Sequence, residues 1–208
     1  MFFSIFLLLF VAYIVGSFPG PYLLVLLATG KNLLQEGTKN VGTRNTYRAT
    51  ESKFLTFIAL LLDVTKGVAA YFLTLLFISS NTSTIWFFLA SFCGVILGHN
   101  HSVFLGFKGG KGLATACGYL LFFLPVAAGI WILLWIVLNK IARIKVIPQI
   151  LATLFTPIIL AALWWQHIGV STDQIVVLTI ASIIILLAHT GRILKILNGT
   201  EPEKYASV

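Results

Sequence analysis

The sequence predicts an all-α integral membrane protein of about seven helices: roughly five full spans plus a short helical hairpin at 113–138, with the N-terminus outside and the C-terminus inside. Three observations carry that expectation. Hydrophobic residues make up 59% of the 208 and charged residues only 10%, and the mean hydropathy of +1.00 leaves more apolar surface than a water-soluble globule can cover. The apolar residues fall into runs of membrane-crossing length. Most of the 14 basic residues, set against 6 acidic ones, crowd into the short stretches beside those runs. One membrane domain over 1–208 is the economical organisation, because no repeat, low-complexity tract or linker breaks the pattern.

The first run, Phe2 to Ala28, is long enough to span, with Gly16, Pro19, Gly20 and Pro21 expected to loosen or kink its second half. Its start, MFFSIFLLLFVAYIVG, lacks the basic n-region and small-residue cleavage pattern of a signal peptide, so it reads as a first helix. A basic loop with Lys31, Lys39, Arg44, Arg48 and Lys53 follows. Phe54 to Ile78 is the second span, and the uncharged SSNTST after it is expected outside. Ile85 to Phe107 reads as a third span whose end, at His99, Asn100 and His101, faces something polar.

Lys108 and Lys111 mark a second basic loop, and Lys140, Arg143 and Lys145 a third. A single crossing by Leu113 to Leu138 would put these two clusters on opposite sides. A turn near Pro125 and Gly129 keeps both inside, hence the hairpin. Val146 to Trp165 and Ile175 to Ala188 complete the spans, the last running into GRILKIL on the inside, and EPEKYASV reads as a loose tail.

The placement of charge narrows function. A net charge of +8 in juxtamembrane clusters sets orientation and attracts small anions, and no nucleic-acid partner is expected. Cys93 and Cys117 lie in apolar helical contexts without a neighbouring base and read as buried thiols. No metal-ligand spacing stands out, and no histidine is followed five residues later by aspartate. His167 beside Trp164 and Trp165 reads as an interfacial belt residue, and His189 near Arg192 as either a helix cap or a site member.

Three segments hold the chemistry. Asp63 and Lys66, three residues apart on one helical face inside a span, form either a locking ion pair or the lining of a polar cavity, and the two roles are compatible. In EGTKNVGTRNTYRAT, Gly37 and Gly42 permit tight backbone and Asn40 and Asn45 brace it. Arg44 and Arg48 there offer the paired N–H donors that hold phosphate, the alternative being a positive-inside loop with turn residues. In FKGGKG, successive glycines expose backbone N–H groups and Lys111 adds a charge at a helix start, a combination suited to an anion but distinct from a Walker A loop.

Together GSFP at 16–19, GTKNVGTRNTYR at 37–48, DVTKG at 63–67, GHNHSVFLGFKGGKGLAT at 98–115 and LNGTE at 197–201 resemble the bacterial acyl-phosphate:glycerol-3-phosphate acyltransferases, the PlsY family, over nearly the whole chain. The chain departs from the family pattern at Ser102, which stands for proline, at Thr38 for serine, and at Arg192 and Lys195 for asparagine and arginine. The resemblance implies transfer of a fatty acyl group from acyl phosphate to the 1-hydroxyl of sn-glycerol 3-phosphate, giving lysophosphatidic acid and phosphate. It implies no cofactor, membrane lipids as surroundings, and a multi-pass place in the bacterial cytoplasmic membrane with the site facing the cytoplasm.

On this reading Lys111, with the amides of Gly109, Gly110 and Gly112, holds one phosphate, and Thr115 closes the same motif. Arg48, Thr38, Asn40 and Asn45 serve the other phosphate or its shell, Lys66 reaches a phosphate from below braced by Asp63, and His189 joins from the third motif. His99 or, slightly preferred, a substrate phosphate oxygen takes the hydroxyl proton. No acyl-enzyme is expected, because no serine or cysteine has a recognisable activating partner. The competing readings are the same fold with another acyl donor or acceptor, and a transporter for an organic phosphate. One-sided charge and the lack of an inverted repeat weigh against transport.

Overall fold

The computed structural model describes residues 1–78, 84–166 and 169–199, so most of SSNTST, His167 and the EPEKYASV tail lie outside the described residues. Among the described residues, regular structure consists of nine α-helices and one 3₁₀ turn. They fall into two compact units, Met1–Phe123 and a second beginning at Leu124.

In the first unit, the opening apolar run is two helices rather than one bent one. Helix α1 (Phe2–Ser17) stops where Phe18 turns to ψ 120° before Pro19, the conformation that a following proline enforces. Helix α2 (Gly20–Thr29) restarts with Pro21 in its first turn, where a missing N–H costs nothing, and ends on Gly30 in the left-handed region, φ 71°. The basic loop holds a helix that was not expected, α3 (Thr43–Thr50), which buries Asn45, Thr46 and Ala49. Helix α4 (Lys53–Phe77) begins on Ser52, whose hydroxyl accepts from the Leu55 amide at 3.2 Å.

Helix α5 (Ile85–Asn100) is shorter than the expected Ile85 to Phe107 because His101 leaves helical geometry at φ −132°. The remaining residues form a loop with a 3₁₀ turn, Val103–Leu105, and an antiparallel bridge between Ser102 and Lys108. Helix α6 (Leu113–Phe123) closes the unit.

The second unit contains α7 (Pro125–Ile141), α8 (Ile147–Trp165) and α9 (Thr172–Leu197). The break expected near Pro125 and Gly129 falls at Leu124, and Gly129 lies inside α7. Trp131 on α7 donates its indole N–H to Thr153 on α8 at 3.0 Å, and α9 opens with a reciprocal capping box between Ser171 and Gln174. The segment Phe2–Thr29 and helices α4, α8 and α9 are long and apolar enough to cross a bilayer, while α5, α6 and α7 are shorter apolar helices. Side chains such as Phe2, Phe3, Phe6, Leu76 and Trp165 stand outward and exposed, a surface that only a hydrocarbon solvent matches.

Glycines set the helix spacing in the first unit. A Cβ on Gly16 would overlap the Val95 carbonyl, and one on Gly98 the Tyr13 carbonyl, so α1 and α5 cross with their backbones in contact. Gly67 on α4 and Gly118 on α6 do the same against the carbonyls of Thr115 and Val64. Above this second crossing Tyr119 stacks on Phe92 with ring centroids 4.3 Å apart and extends its hydroxyl to the Phe88 carbonyl.

Gly67→Ala and Gly98→Ala are therefore expected to destabilise the detergent-solubilised protein by at least 1–3 kcal/mol, about the usual cost of overpacking. Gly129→Ala and Gly191→Ala, where an added methyl meets nothing within 4 Å, are expected to be neutral or to raise stability by up to about 1 kcal/mol. Thermal unfolding midpoints check this, and equal midpoints for all four variants would remove the close-crossing argument.

Candidate functional site

The polar residues of the first unit gather where α1 ends, α2 begins, α5 ends and α6 begins. Asp63, one of the few acidic side chains within a span, sits on α4 with its side chain 2% exposed, which demands a counter-charge. Lys66, one turn on, supplies it at 2.8 Å. The imidazole Nδ1 of His99, on the last turn of α5, lies 3.5 Å from the same carboxylate oxygen and 3.1 Å from the Thr115 hydroxyl of α6. Three helices thus meet at one carboxylate. With Nδ1 turned toward Asp63 and Thr115, the Nε2 edge of the ring lies against Gly110.

The glycine pair fits against the end of α5. A Cβ at Gly109 would overlap the carbonyls of His99 and Asn100, and one at Gly110 would enter the His99 ring. The Gly110 amide is donated to the His99 carbonyl at 2.9 Å, so this amide is spent within the fold and its residue's contribution to the site is steric. Gly112 adopts φ 80° in order to turn the chain into α6. The loop is also tied to α1: Ser102 donates its hydroxyl to the Ser17 carbonyl at 2.5 Å, and Tyr13 donates to the His101 carbonyl at 2.7 Å. Serine at 102 thereby makes a bond that proline could not.

The first basic loop is folded on Asn45. Its side-chain oxygen accepts from the amide and hydroxyl of Thr38, at 2.8 and 3.1 Å, and its amide donates to the carbonyls of Leu33 and Glu36. Asn45 is 2% exposed, so its geometry is that of a brace around which Thr38 and Gly37 close. Gly37 faces the Asn45 amide oxygen and the first carbon of the Arg48 side chain, and Arg48 stands half-buried on the last turn of α3. Asn40 keeps a buried side-chain oxygen without a protein partner.

A small cleft lies beside these parts, with walls that include Ser17, Lys66, His99, Gly109 and Gly110 and, from the first loop, Val41. Sequence reasoning nominated Lys66, His99, Gly109 and Gly110, which line this cleft, and also Lys111, Arg48, Thr38, Asn40, Asn45, Gly112 and Thr115, which are not on its wall. It missed Ser17 and the contact of Asp63 with His99. The GSFP motif marked Ser17's segment, but nothing in the sequence pointed to its hydroxyl. His189 lies on α9 in the second unit, buried, with Nδ1 donating to the Ile185 carbonyl at 2.8 Å. No cluster of three or more histidine, cysteine or acidic residues able to hold a metal occurs among the described residues.

Comparison with known proteins shows the family. Residues 6–199 match the family model for glycerol-3-phosphate acyltransferase. A glycerol-3-phosphate acyltransferase of Leptospira borgpetersenii is 37% identical over 196 residues, covering 92% of this chain and 88% of the relative. One from Brucella melitensis is 32% identical, covering 91% and 88%. The crystal structure of PlsY, an integral membrane glycerol 3-phosphate acyltransferase in its glycerol 3-phosphate form, superposes with a TM-score of 0.79 at 27% identity, covering 96% of this chain and 94% of that one. Its lysophosphatidic acid form gives 0.76 at 26%. The matched span runs from α1 to the end of α9 and takes in both basic loops and the buried cluster around Asp63, and the chain belongs to the glycerol-3-phosphate acyltransferase family.

Proposed function

We propose that the acyl transfer to glycerol 3-phosphate made by this chain draws on acyl phosphate and esterifies the 1-hydroxyl, releasing lysophosphatidic acid and inorganic phosphate. The observation that carries this reading is the cleft in which Lys66, His99 and the Gly109–Gly110 turn meet the first basic loop. Both reactants are phosphate-bearing anions, and each of these two basic loops has residues on the cleft wall, Val41 from the first and Gly109 and Gly110 from the second.

An acyl phosphate is an activated mixed anhydride, so the protein needs chiefly to orient the pair and neutralise charge. Lys111 holds one phosphate, helped by the amides of Gly109 and Gly112. Gly110 contributes by packing flat on His99. Arg48 holds the other phosphate, with Asn40 beside it and Thr38 and Asn45 keeping the loop closed. The ammonium of Lys66, fixed by Asp63, faces the reacting end. The hydroxyl oxygen of glycerol 3-phosphate attacks the acyl carbon, the C–O bond to phosphate breaks with its electron pair on phosphate, and the hydroxyl proton leaves with that phosphate. His99 holds the glycine turn in place and offers Nε2 as the alternative acceptor for the proton. Residues 1–208 are assigned to one acyltransferase domain, a reading that the family match over residues 6–199 supports.

The test incubates purified protein with labelled glycerol 3-phosphate and either acyl phosphate or acyl-CoA. Lysophosphatidic acid from acyl phosphate alone is the expected outcome, and product from the thioester alone overturns the choice of donor.

Orientation follows from charge. The site faces the cytoplasm of a bacterial cell, with Lys108, Lys111, Lys140, Arg143 and Lys145 on that side and the 113–138 segment returning to it. In a background without Cys93 and Cys117, single cysteines at Ser52, Lys108 and Lys145 are expected to label only from the cytoplasmic side, and one at Ser80 only from outside. Outside labelling at 145 would replace the hairpin with a crossing.

Lys111→Met is expected to abolish most turnover in a folded protein, since losing a charge-assisted contact to a desolvated phosphate costs about 1.5–3 kcal/mol in binding and more in the transition state. Gly110→Ala should do nearly the same by driving a methyl into the His99 ring, whereas Lys108→Met should be mild because Lys108 is exposed. Arg48→Lys should raise the KM for glycerol 3-phosphate or lower kcat by roughly tenfold or more, because lysine keeps the charge and loses the paired donors. Steady-state kinetics of the four variants decide, and wild-type values throughout would reduce both loops to topological markers.

A further inference from the structure

Ser17 carries a hydroxyl that the fold does not use. The residue is 1% exposed on the last turn of α1, and its Oγ is buried without a hydrogen-bond partner. Many helical hydroxyls in this chain donate to the carbonyl four residues back, as Thr29 does to Val25, Thr56 to Ser52, Thr74 to Ala70 and Thr156 to Ala152, and others find a different partner, as Ser91 does at Ala70. Ser17 does neither. The carbonyl one turn behind it, at Tyr13, is packed against Gly98 of α5.

The surroundings of Ser17 select the ligand. It lines the cleft with Lys66, whose ammonium has three N–H groups and directs one of them at Asp63. Two of the backbone acceptors beside it are already occupied: the Ser17 carbonyl takes the Ser102 hydroxyl, and the His99 carbonyl takes the Gly110 amide. Two side chains on this wall, the Ser17 hydroxyl and the Lys66 ammonium, both offer N–H or O–H donors, and they fit an oxygen that only accepts. The remaining lining includes Phe18, Pro19, Pro21, Val41 and Leu105, all apolar, which suits an oxygen attached to hydrocarbon better than a fully charged phosphate.

We infer that Ser17 is a catalytic residue whose hydroxyl, with the Lys66 ammonium, donates to the carbonyl oxygen of the acyl donor. The inference rests on the acyl-transfer reading given above. As the glycerol oxygen forms its bond to the acyl carbon, the carbonyl π pair moves onto that oxygen and the two donors stabilise the oxyanion. When the pair re-forms the carbonyl, the bond to the leaving group breaks, and the leaving group departs with its electrons and the hydroxyl proton. A donor aimed at charge present only during reaction raises kcat more than it strengthens binding.

The decisive variant is Ser17→Ala, which removes one oxygen and creates no overlap. The expected result is a loss of roughly 10- to 100-fold in kcat, a KM for glycerol 3-phosphate within twofold of wild type, and an unfolding midpoint equal to or above wild type. Wild-type kcat in Ser17→Ala overturns the inference, as does a loss of rate matched by a lower unfolding midpoint, the signature of a structural hydroxyl. Both proteins are assayed with acyl phosphate and with acyl-CoA, because the carbonyl is common to the two donors and the inference survives a change of leaving group. Wild-type protein inactive with either donor would overturn the acyl-transfer reading, and this inference with it.

Discussion

The burial of one carboxylate organises the first unit. Asp63 lies within a helix long and apolar enough to span, where an uncompensated charge costs several kcal/mol even after relaxation. Its compensation is drawn from three helices: Lys66 from its own, His99 from α5, and Thr115 from α6 through the shared imidazole. That requirement fixes more than charge. His99 is the residue on which the glycine turn rests, so the position of the loop before α6 follows from the position of a carboxylate on α4. A hydrophobic replacement of the Asp63–Lys66 pair would pack as well or better, as buried pairs often do when swapped for apolar residues, but it would leave the cleft without a fixed ammonium.

Close backbone contact makes the arrangement reachable. Side chains at Gly67 and Gly118 would hold α4 and α6 too far apart for His99 to bridge Asp63 and Thr115, and side chains at Gly16 and Gly98 would lift α5 off α1. In hydrocarbon, where lipid tails are as apolar as leucine, helices gain little from burying large side chains against each other, and small residues at the crossings supply the packing contacts instead. The large aromatics then cluster around the crossings or face outward, as Tyr119 and Phe2 respectively illustrate.

Much of this was legible in the sequence because hydropathy and charge placement are one-dimensional signals. Phe54 to Ile78 and Val146 to Trp165 coincide with α4 and α8 to within a residue or two. The signals failed where a local backbone event decides. Pro19 divides the first run outright instead of bending it, and His101 ends α5 before the apolar run ends. Helix α3 went unread because an eight-residue helix of mostly polar side chains has no hydropathy signature. Its evidence lay in Asn45, Thr46 and Ala49, which face inward at helical spacing only once the loop folds around the Asn45 amide. The glycines of FKGGKG read in the sequence as exposing backbone N–H groups to an anion, whereas in the fold they also pack against another helix. Their partner is the end of α5, a contact across the fold that spacing along the chain cannot reveal.

Apart from Asp63 and Lys66 midway along α4, the site occupies helix ends rather than helix middles, and the bilayer explains why. Mid-helix backbone groups are already paired, and a phosphate brought to that depth would be stripped of water without new donors. Helix termini leave amides and carbonyls open, and here the end of α1, the start of α2, the end of α5 and the start of α6 are brought to one cleft. The start of α6, preceded by Gly112 and Lys111, presents amides and positive charge together, which is the electrostatic environment that an anion needs at a membrane boundary. A few residues away the same cleft turns apolar at Phe18, Pro19 and Leu105. A reaction that joins a hydrocarbon chain to a water-borne phosphate requires both environments within the length of a small substrate, and breaking the helices at the polar face is how an all-helical membrane protein provides them.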